Sequence, residues 1–373
     1  MKRFLALILA LIMVASLCAC GNGASPAESS APAQQPADTD PADVNYLDNE
    51  PLRIGTMVHQ MGVSLYTAYT QGLFEKAGIN VELILFEGGA PINEAFGAGE
   101  LDGAISGLAS VYGLSAGLVK MVGEVDTVGA DCIVVRADSD IAAVKGQIEG
   151  KPDMLGSAET IRGKSFVVQL GQASQFYALK YADQFGLTED DISFINMEKA
   201  NGTQAYMTGE GDILTSGMPY VYNLVEQDGN YVVAAWVNDA TDIEIKDPIL
   251  FTPETIENRR EEVKIFLQVI YGLIDEWAND YDAYKAAVMA YYQANGKDFI
   301  DEQVDYEFAK NRLLSSEVIS GADYFMGDGM QAVADFYGSN GSIDAANVDV
   351  YKQYDTSLLE EALGITVQAY TRP

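Results

Sequence analysis

The sequence predicts an α/β fold of two lobes, each a mostly parallel sheet flanked by helices, with a helical C-terminal portion. Three observations predict it. Strand-like and helix-like patterns alternate from residue 51 onward, the order expected of mostly parallel sheets. A block in the first half recurs in the second: residues 95–112 align without gaps on residues 205–222, an offset of 110, with eight of eighteen positions identical. The chain has 373 residues, 48% of them hydrophobic, enough for two lobes of roughly 100–200 residues.

The elements follow in order. Leu52-Arg53-Ile54-Gly55 reads as a first strand. Residues 64–77 read as a helix, with Ser64 as N-cap and Gly78 as its stop. Residues 81–86 (VELILF) form a second strand, Pro91 opens a short helix ending near Gly99, and Ala104-Ile105 lies on a third strand. Residues 121–128 and 132–135 are further strands. The repeat pairs Asp102 with Asp212, Ser106-Gly107 with Ser216-Gly217 and Tyr112 with Tyr222, and the same offset relates Ser64 to Ser174. Each lobe therefore reads as strand, helix, strand, short helix and a strand ending in Ser-Gly. Lobe 1 is expected over 51–135 plus 238–373, and lobe 2 over 136–237. In the last third, residues 261–279 place Val263, Phe266, Leu267, Ile270, Leu273, Ile274 and Trp277 on one helical face. Helices over 283–293 and 301–314, a polar stretch and a last helix near 358–363 complete the chain.

Composition excludes several functions. Asp and Glu number 55 against 22 Lys and Arg, a formal charge of −33, and a surface that acidic repels phosphate backbones. Nucleic acid is therefore not a partner. One histidine, His59, leaves no material for a His-rich metal site or a triad with a choice of bases, so neither metal nor cofactor is expected.

The N-terminus carries Lys2 and Arg3 before an apolar run over 4–17, too short to span a bilayer comfortably. Leu17-Cys18-Ala19-Cys20 resembles the lipobox of bacterial lipoproteins, which implies a signal peptide over 1–19 and acylation of Cys20; a plain signal peptide cleaved near Ala19 is the alternative. Cys132 is then the one remaining free thiol, so no intramolecular disulfide is available. Residues 21–50, rich in Ala, Pro, Ser, Gln and Asp, read as a flexible spacer. The expected place is the outer face of the cytoplasmic membrane, the length of the spacer favouring a Gram-positive surface.

Leu52-Arg53-Ile54-Gly55, the run from Gly72 to Ile79 (GLFEKAGI), Val81-Glu82-Leu83 and Gly99-Glu100-Leu101-Asp102 together resemble the solute-binding proteins of ABC importers in the nitrate, sulfonate, taurine and thiamine-precursor group. Ile161-Arg162-Gly163-Lys164 and Gly209-Glu210-Gly211-Asp212 extend the likeness, which covers residues 51–280 or so. The resemblance implies a type II periplasmic-binding-protein fold, a monomer whose lobes close on a small-molecule solute, and an ABC permease with its ATPase as partners.

Ligands of open α/β sheets bind beyond the carboxyl ends of the strands. That rule selects His59, Gln60, Ser64, Gly88, Gly89, Ser106 and Gly107 in the first lobe, and Gly171, Gln172, Ser174, Gly202, Thr203, Ser216, Gly217 and Tyr220 in the second. Glycine admits a ligand close to the backbone, while helix-start amides and hydroxyls supply neutral donors. Tyr66, Tyr112, Tyr222 and Trp236 are further candidates for stacking on a ring, with core packing as the plainer role. Asp131 and Glu87 could meet a cation, and Cys132 reads as a small core residue. None of these loops contains Arg or Lys; Lys120 and Lys199 are merely near. An oxyanion held by helix N-termini and a neutral or cationic heteroaromatic both remain open. The leading function is a non-catalytic receptor delivering its solute to an importer. The alternatives are a ligand-sensing lipoprotein and an enzyme on the same fold.

Overall fold

The computed structural model describes residues 45–372; the expected signal segment, Cys20 and the spacer up to residue 44 lie outside the described residues. Apolar runs bounded by glycine turns give ten strands: β1 (Leu52–Met57), β2 (Val81–Phe86), β3 (Gly103–Ile105), β4 (Lys120–Val128), β5 (Cys132–Arg136), β6 (Ser165–Val168), β7 (Ser193–Asn196), β8 (Ile213–Ser216), β9 (Tyr231–Trp236) and β10 (Ile245–Phe251). They form two five-stranded sheets ordered β2-β1-β3-β10-β4 and β7-β6-β8-β5-β9.

The two orders are one pattern used twice. β1, β2 and β3 correspond to β6, β7 and β8, and helix Gly89–Ala98 corresponds to helix Lys199–Met207. Three strands of each sheet are parallel, and the strand between the third and the edge runs against its neighbours. Each sheet is therefore mixed, with two parallel and two antiparallel pairings, because β5 and β10 arrive from the other sheet rather than through a helical crossover. β5 lies wholly in the second sheet, so the boundary read at 135/136 falls within a strand. The chain passes between sheets at 129–131 and again at 237–244.

Local departures have identifiable causes. The helix expected over 64–77 is two: Val63–Thr70 and Leu73–Lys76, separated where Gly72 takes φ 63°. Gly62, not Ser64, is its N-cap, and Ser64 is a buried position inside the helix. Residues 45–50, read as the end of the spacer, are held by the body: Tyr46 N donates to Gly78 O at 2.8 Å, and Arg259 reaches Glu50 O at 2.7 Å. The helix expected over 301–314 stops at Phe308. The polar stretch after it conceals helix Asp328–Ser339, which buries Met330, Val333, Ala334 and Tyr337.

Helix Arg260–Asn279 matches its pattern, and all seven apolar positions named above are buried. Phe266 is its centre, stacked on Phe74 at 5.3 Å and edge-on to Phe251 at 5.4 Å between ring centroids. The C-terminal helices pack mainly on the first sheet. Asp301–Phe308 and the residues after it also reach the second: Gln303 donates to Asn223 Oδ1 at 3.1 Å, and Lys310 Nζ lies 3.9 Å from the Trp236 ring.

Candidate functional site

A cleft of about 950 Å³ of empty space, the open solvent at its mouth included, lies between the two sheets and beside the crossing segment 129–131. Its first-lobe wall includes His59, Gln60, Gly88, Gly89 and Gly107, and its second-lobe wall Gln172 and Ser174. These seven positions selected from the sequence are brought together. The lobes nearly touch at the mouth: a methyl group added at Gly88 would stand 3.3 Å from Gln172 Nε2.

The other eight are placed elsewhere. Ser64 is buried beside a smaller void behind Gln60 and Asp126, its hydroxyl without a hydrogen-bond partner. Ser216 and Thr203 are buried within the second lobe, their hydroxyls 3.3 Å apart, with Thr203 Oγ1 also donating to Lys199 O at 2.8 Å. Ser106 is buried at the end of β3, its N–H donating to Pro248 O. Gly171 directs its N–H to Gln175 Oε1 at 2.8 Å, and Gly202 packs under Val167. Gly217 faces Asp131, whose carboxylate occupies the space a side chain there would need. Tyr220 lines a side recess shared with His59 and Lys297.

Of the stacking candidates, Tyr66 packs on Tyr291 and Tyr112 on Tyr337, while Tyr222 and Trp236 both pack on Tyr306. None of the four lines the cleft; the aromatic ring that does is Tyr177. Asp131 and Glu87 both line it, and so does Lys199, which pairs with Asp131 at 3.5 Å. Cys132 is fully buried and free, its thiol pushed up chiefly by burial.

The floor of the cleft was not read from the sequence. It consists of Asp126 on β4, Asp247 on β10, Glu307 on helix Asp301–Phe308, and Asn311. The two strands pair antiparallel, with Thr127 opposite Lys246 and Glu124 opposite Pro248, so Asp247 faces the two residues Val125 and Asp126. This β-bulge turns both carboxyls into one place. Asn311 closes the floor, its Oδ1 accepting the N–H groups of Gly129 and Ala130 and its amide donating to Gln60 Oε1. Gln60 Nε2 and Asp126 Oδ1 are buried without hydrogen-bond partners.

The electrostatics follow from this crowding. Burial pushes Asp126 up to about 7, contacts with Asp247 and Gln60 offsetting part of the effect. Asp247 is held well above the ordinary carboxyl range by burial, with Asp126 raising it further. Burial also raises Glu307 to about 8, aided by Asp126 and Asp131. His59 is pushed down to about 3 by burial, with Lys199 and Lys297 adding to the shift, so its imidazole is neutral at physiological pH. Among the described residues no cluster of His, Cys, Asp and Glu has the arrangement of a metal site.

A mixed-sheet, two-lobed body with a cleft at the crossing strands defines a class of ligand-binding proteins, and comparison gives the family. Residues 61–272 match the family described as NMT1/THI5 like, more than half of the chain, and the protein belongs to it. A relative from Brachyspira hyodysenteriae, provisionally named an ABC transporter periplasmic binding protein, is 26% identical over 318 residues, covering 85% of this chain and 90% of its own. A Bacillus subtilis relative, provisionally named an aliphatic sulfonates-binding protein, is 23% identical and covers 78% and 80%. Among solved structures, the alkanesulfonate-binding protein of Xanthomonas axonopodis, bound to MOPS, superposes with a TM-score of 0.62 at 19% identity, covering 82% and 98%. The nitrate-binding protein of Synechocystis gives 0.63 at 13%, covering 84% and 88%. These neighbours share the periplasmic-binding-protein fold. All four are named as binding proteins, and the Brachyspira relative as one belonging to an ABC transporter.

Proposed function

We propose that the protein is an extracytoplasmic, lipid-anchored receptor that captures a small solute between its lobes and delivers it to an ABC permease and ATPase. One observation carries the reading: a cleft walled by residues of both lobes lies between the repeated sheets, at the segments where the chain crosses from one to the other. Bound solute would bridge the two walls and favour the closed arrangement, in which Gly88 meets Gln172. Its partners are the solute, the permease with its ATPase, and the membrane through Cys20; it works as a monomer. No helix of the described residues is long and apolar enough to cross a membrane.

Two mass measurements test this. Native mass spectrometry of the protein from cells in rich medium is expected to show a 1:1 small-molecule adduct, removed by unfolding and refolding. Peptide mass analysis of the N-terminus is expected to find Cys20 first and acylated. A refolded protein that recovers no adduct from the medium would count against the receptor reading, and an unmodified N-terminus against the anchor.

A further inference from the structure

The described cleft wall contains one basic side chain, Lys199, and six carboxyls: Glu87, Asp126, Asp131, Glu198, Asp247 and Glu307. Lys199 already faces Asp131. The nearest other lysine on the same strands, Lys246, is buried against Asp328 and Glu244. An oxyanion would thus enter a site whose ionisable groups are acidic apart from Lys199 and the neutral His59, so that ionisation of the floor opposes it, whereas an arriving cation favours that ionisation. Asp126 and Asp247, 2% and 3% exposed, lie side by side on the floor. A second observation points to the same place. Gln60, 8% exposed, lines the same floor with its Nε2 unpartnered, because Asn311 fixes its carbonyl end. A buried donor and a buried acceptor left unmade are costly unless something else meets them. Met57, Met61, Met218 and Tyr177 line the remaining wall and supply an adaptable apolar surface.

Building on the receptor reading above, we propose that this cleft takes an organic cation, an amine or amidinium head on an apolar body, and excludes sulfonates and nitrate. The N–H groups of the head meet Asp126 and Asp247, with Glu307 beside them. Gln60 donates to an acceptor on the same ligand, and the methionines and Tyr177 cover the body. The charge class then differs from that named for the alkanesulfonate- and nitrate-binding neighbours, although the fold is shared.

The test is isothermal titration at pH 7 of the refolded protein with compounds on one skeleton: benzylamine and benzamidine against benzenesulfonate and benzoate, plus sodium nitrate. The expected result is saturable binding of at least one cation and of no anion. The Asp126→Asn, Asp247→Asn double variant should weaken the cation at least about thirtyfold, as loss of charge-assisted hydrogen bonds implies. A circular-dichroism melt of the variant verifies folding, and Asn preserves the shape of the floor. Binding of an anion with no cation bound would overturn the charge assignment and leave the receptor reading standing. Cation binding insensitive to the double variant would overturn the placement. Binding of neither class, in a protein that recovers an adduct from rich medium, would overturn the assignment alone; with no adduct recovered, both readings fall.

Discussion

Asp102 and Asp212, related by the 110-residue repeat, do the same thing in the two halves. The Oδ2 of each accepts a backbone N–H at 2.8 Å, from Arg53 on β1 in one sheet and from Ser165 on β6 in the other. Burial alone would raise both carboxyls; hydrogen bonds donated by Arg53 and Ser165 more than offset it, and both sit below the usual range. Each therefore locks the start of the first parallel strand of its lobe, β1 or β6, to the loop before β3 or β8. The Asp identities in the repeat are structural.

Asp102→Ala and Asp212→Ala should each destabilise the fold by about 1–3 kcal/mol, the usual cost of orphaning a partly buried donor. Asp102 should cost more, since its carboxylate also pairs with the Arg53 guanidinium at 2.8 Å. The two sites are in different sheets, so the double variant should be close to additive. Urea unfolding of the single and double variants measures this.

Without ligand, stability should fall as pH rises from about 4 to about 8. Glu124 and Asp126 are raised to about 7 and Glu307 to about 8, all chiefly by burial, so the folded state holds protons that the unfolded state has released. The folded state is thus favoured fully below the ordinary carboxyl range and loses that advantage as pH climbs through 7–8. Each such group contributes on the order of 1 kcal/mol per pH unit within that window. His59, depressed to about 3, acts oppositely between 6.5 and 3, and as one group against several it does not reverse the trend. Lys199 and Lys246 face these acids and moderate the slope. Thermal midpoints at pH 4.5, 6 and 8 check the sign, and Asp126→Asn should gain on the parent at pH 8 but not at 4.5.

Gly129 begins the first crossing segment, where an added methyl carbon would meet Lys310 O at 2.1 Å. That contact is with backbone, which cannot swing aside. Gly129→Ala should therefore displace the 309–311 segment and with it Asn311, which holds the Gly129 and Ala130 amides. The expected outcome is lower stability and weakened solute binding together. Asn311→Ala should reproduce the binding defect, measured by titration with whichever solute the refolded protein recovers.

Gly88 offers the opposite case. Its backbone is extended, a conformation open to any residue, and its nearest neighbour across the mouth is the flexible end of Gln172. Gly88 is buried, but the atom a side chain would meet is the far end of a flexible one, so Gly88→Val should cost the unliganded fold about 0.5–1 kcal/mol, the low end for single substitutions. It should raise the solute dissociation rate, because the lobes can no longer approach as closely. Stopped-flow dissociation kinetics separate these effects.

Much of the fold was legible because its signals are local. Gly78 and Gly99 punctuate the first lobe, the apolar stripe of 261–279 marks its helix, and the repeat shows that the pattern occurs twice. The break at Gly72 and the helix at Asp328–Ser339 were readable but missed; Met330, Val333, Ala334 and Tyr337 have helical spacing. The upper wall of the cleft was found by the strand-end rule, through His59, Gln60, Gly88 and Gln172. Its floor was not. Asp126 and Asp247 each left a trace as a carboxyl inside an apolar strand, yet only a bulge between strands 120 residues apart in sequence joins them. Glu307 and Asn311 left none, since one lies near the end of a C-terminal helix, where amphipathic pattern speaks only of packing, and the other in the irregular segment after it. Ser106 and Ser216 misled for the converse reason: strand-end serines buried within a lobe share a sequence signature with those facing a ligand.

The most direct test of the central claim, a solute held between the lobes, is thermal unfolding of the refolded protein against a panel of amines, amidines, pyrimidines, sulfonates, nitrate and aromatic carboxylates, together with a small-molecule extract of rich medium. A ligand at about 100-fold its dissociation constant stabilises by ~2.7 kcal/mol, an upward shift of several degrees. The account predicts a saturable shift with the extract and with one chemical class, reduced in Asp126→Asn, Asp247→Asn. No shift from any compound or from the extract would contradict it.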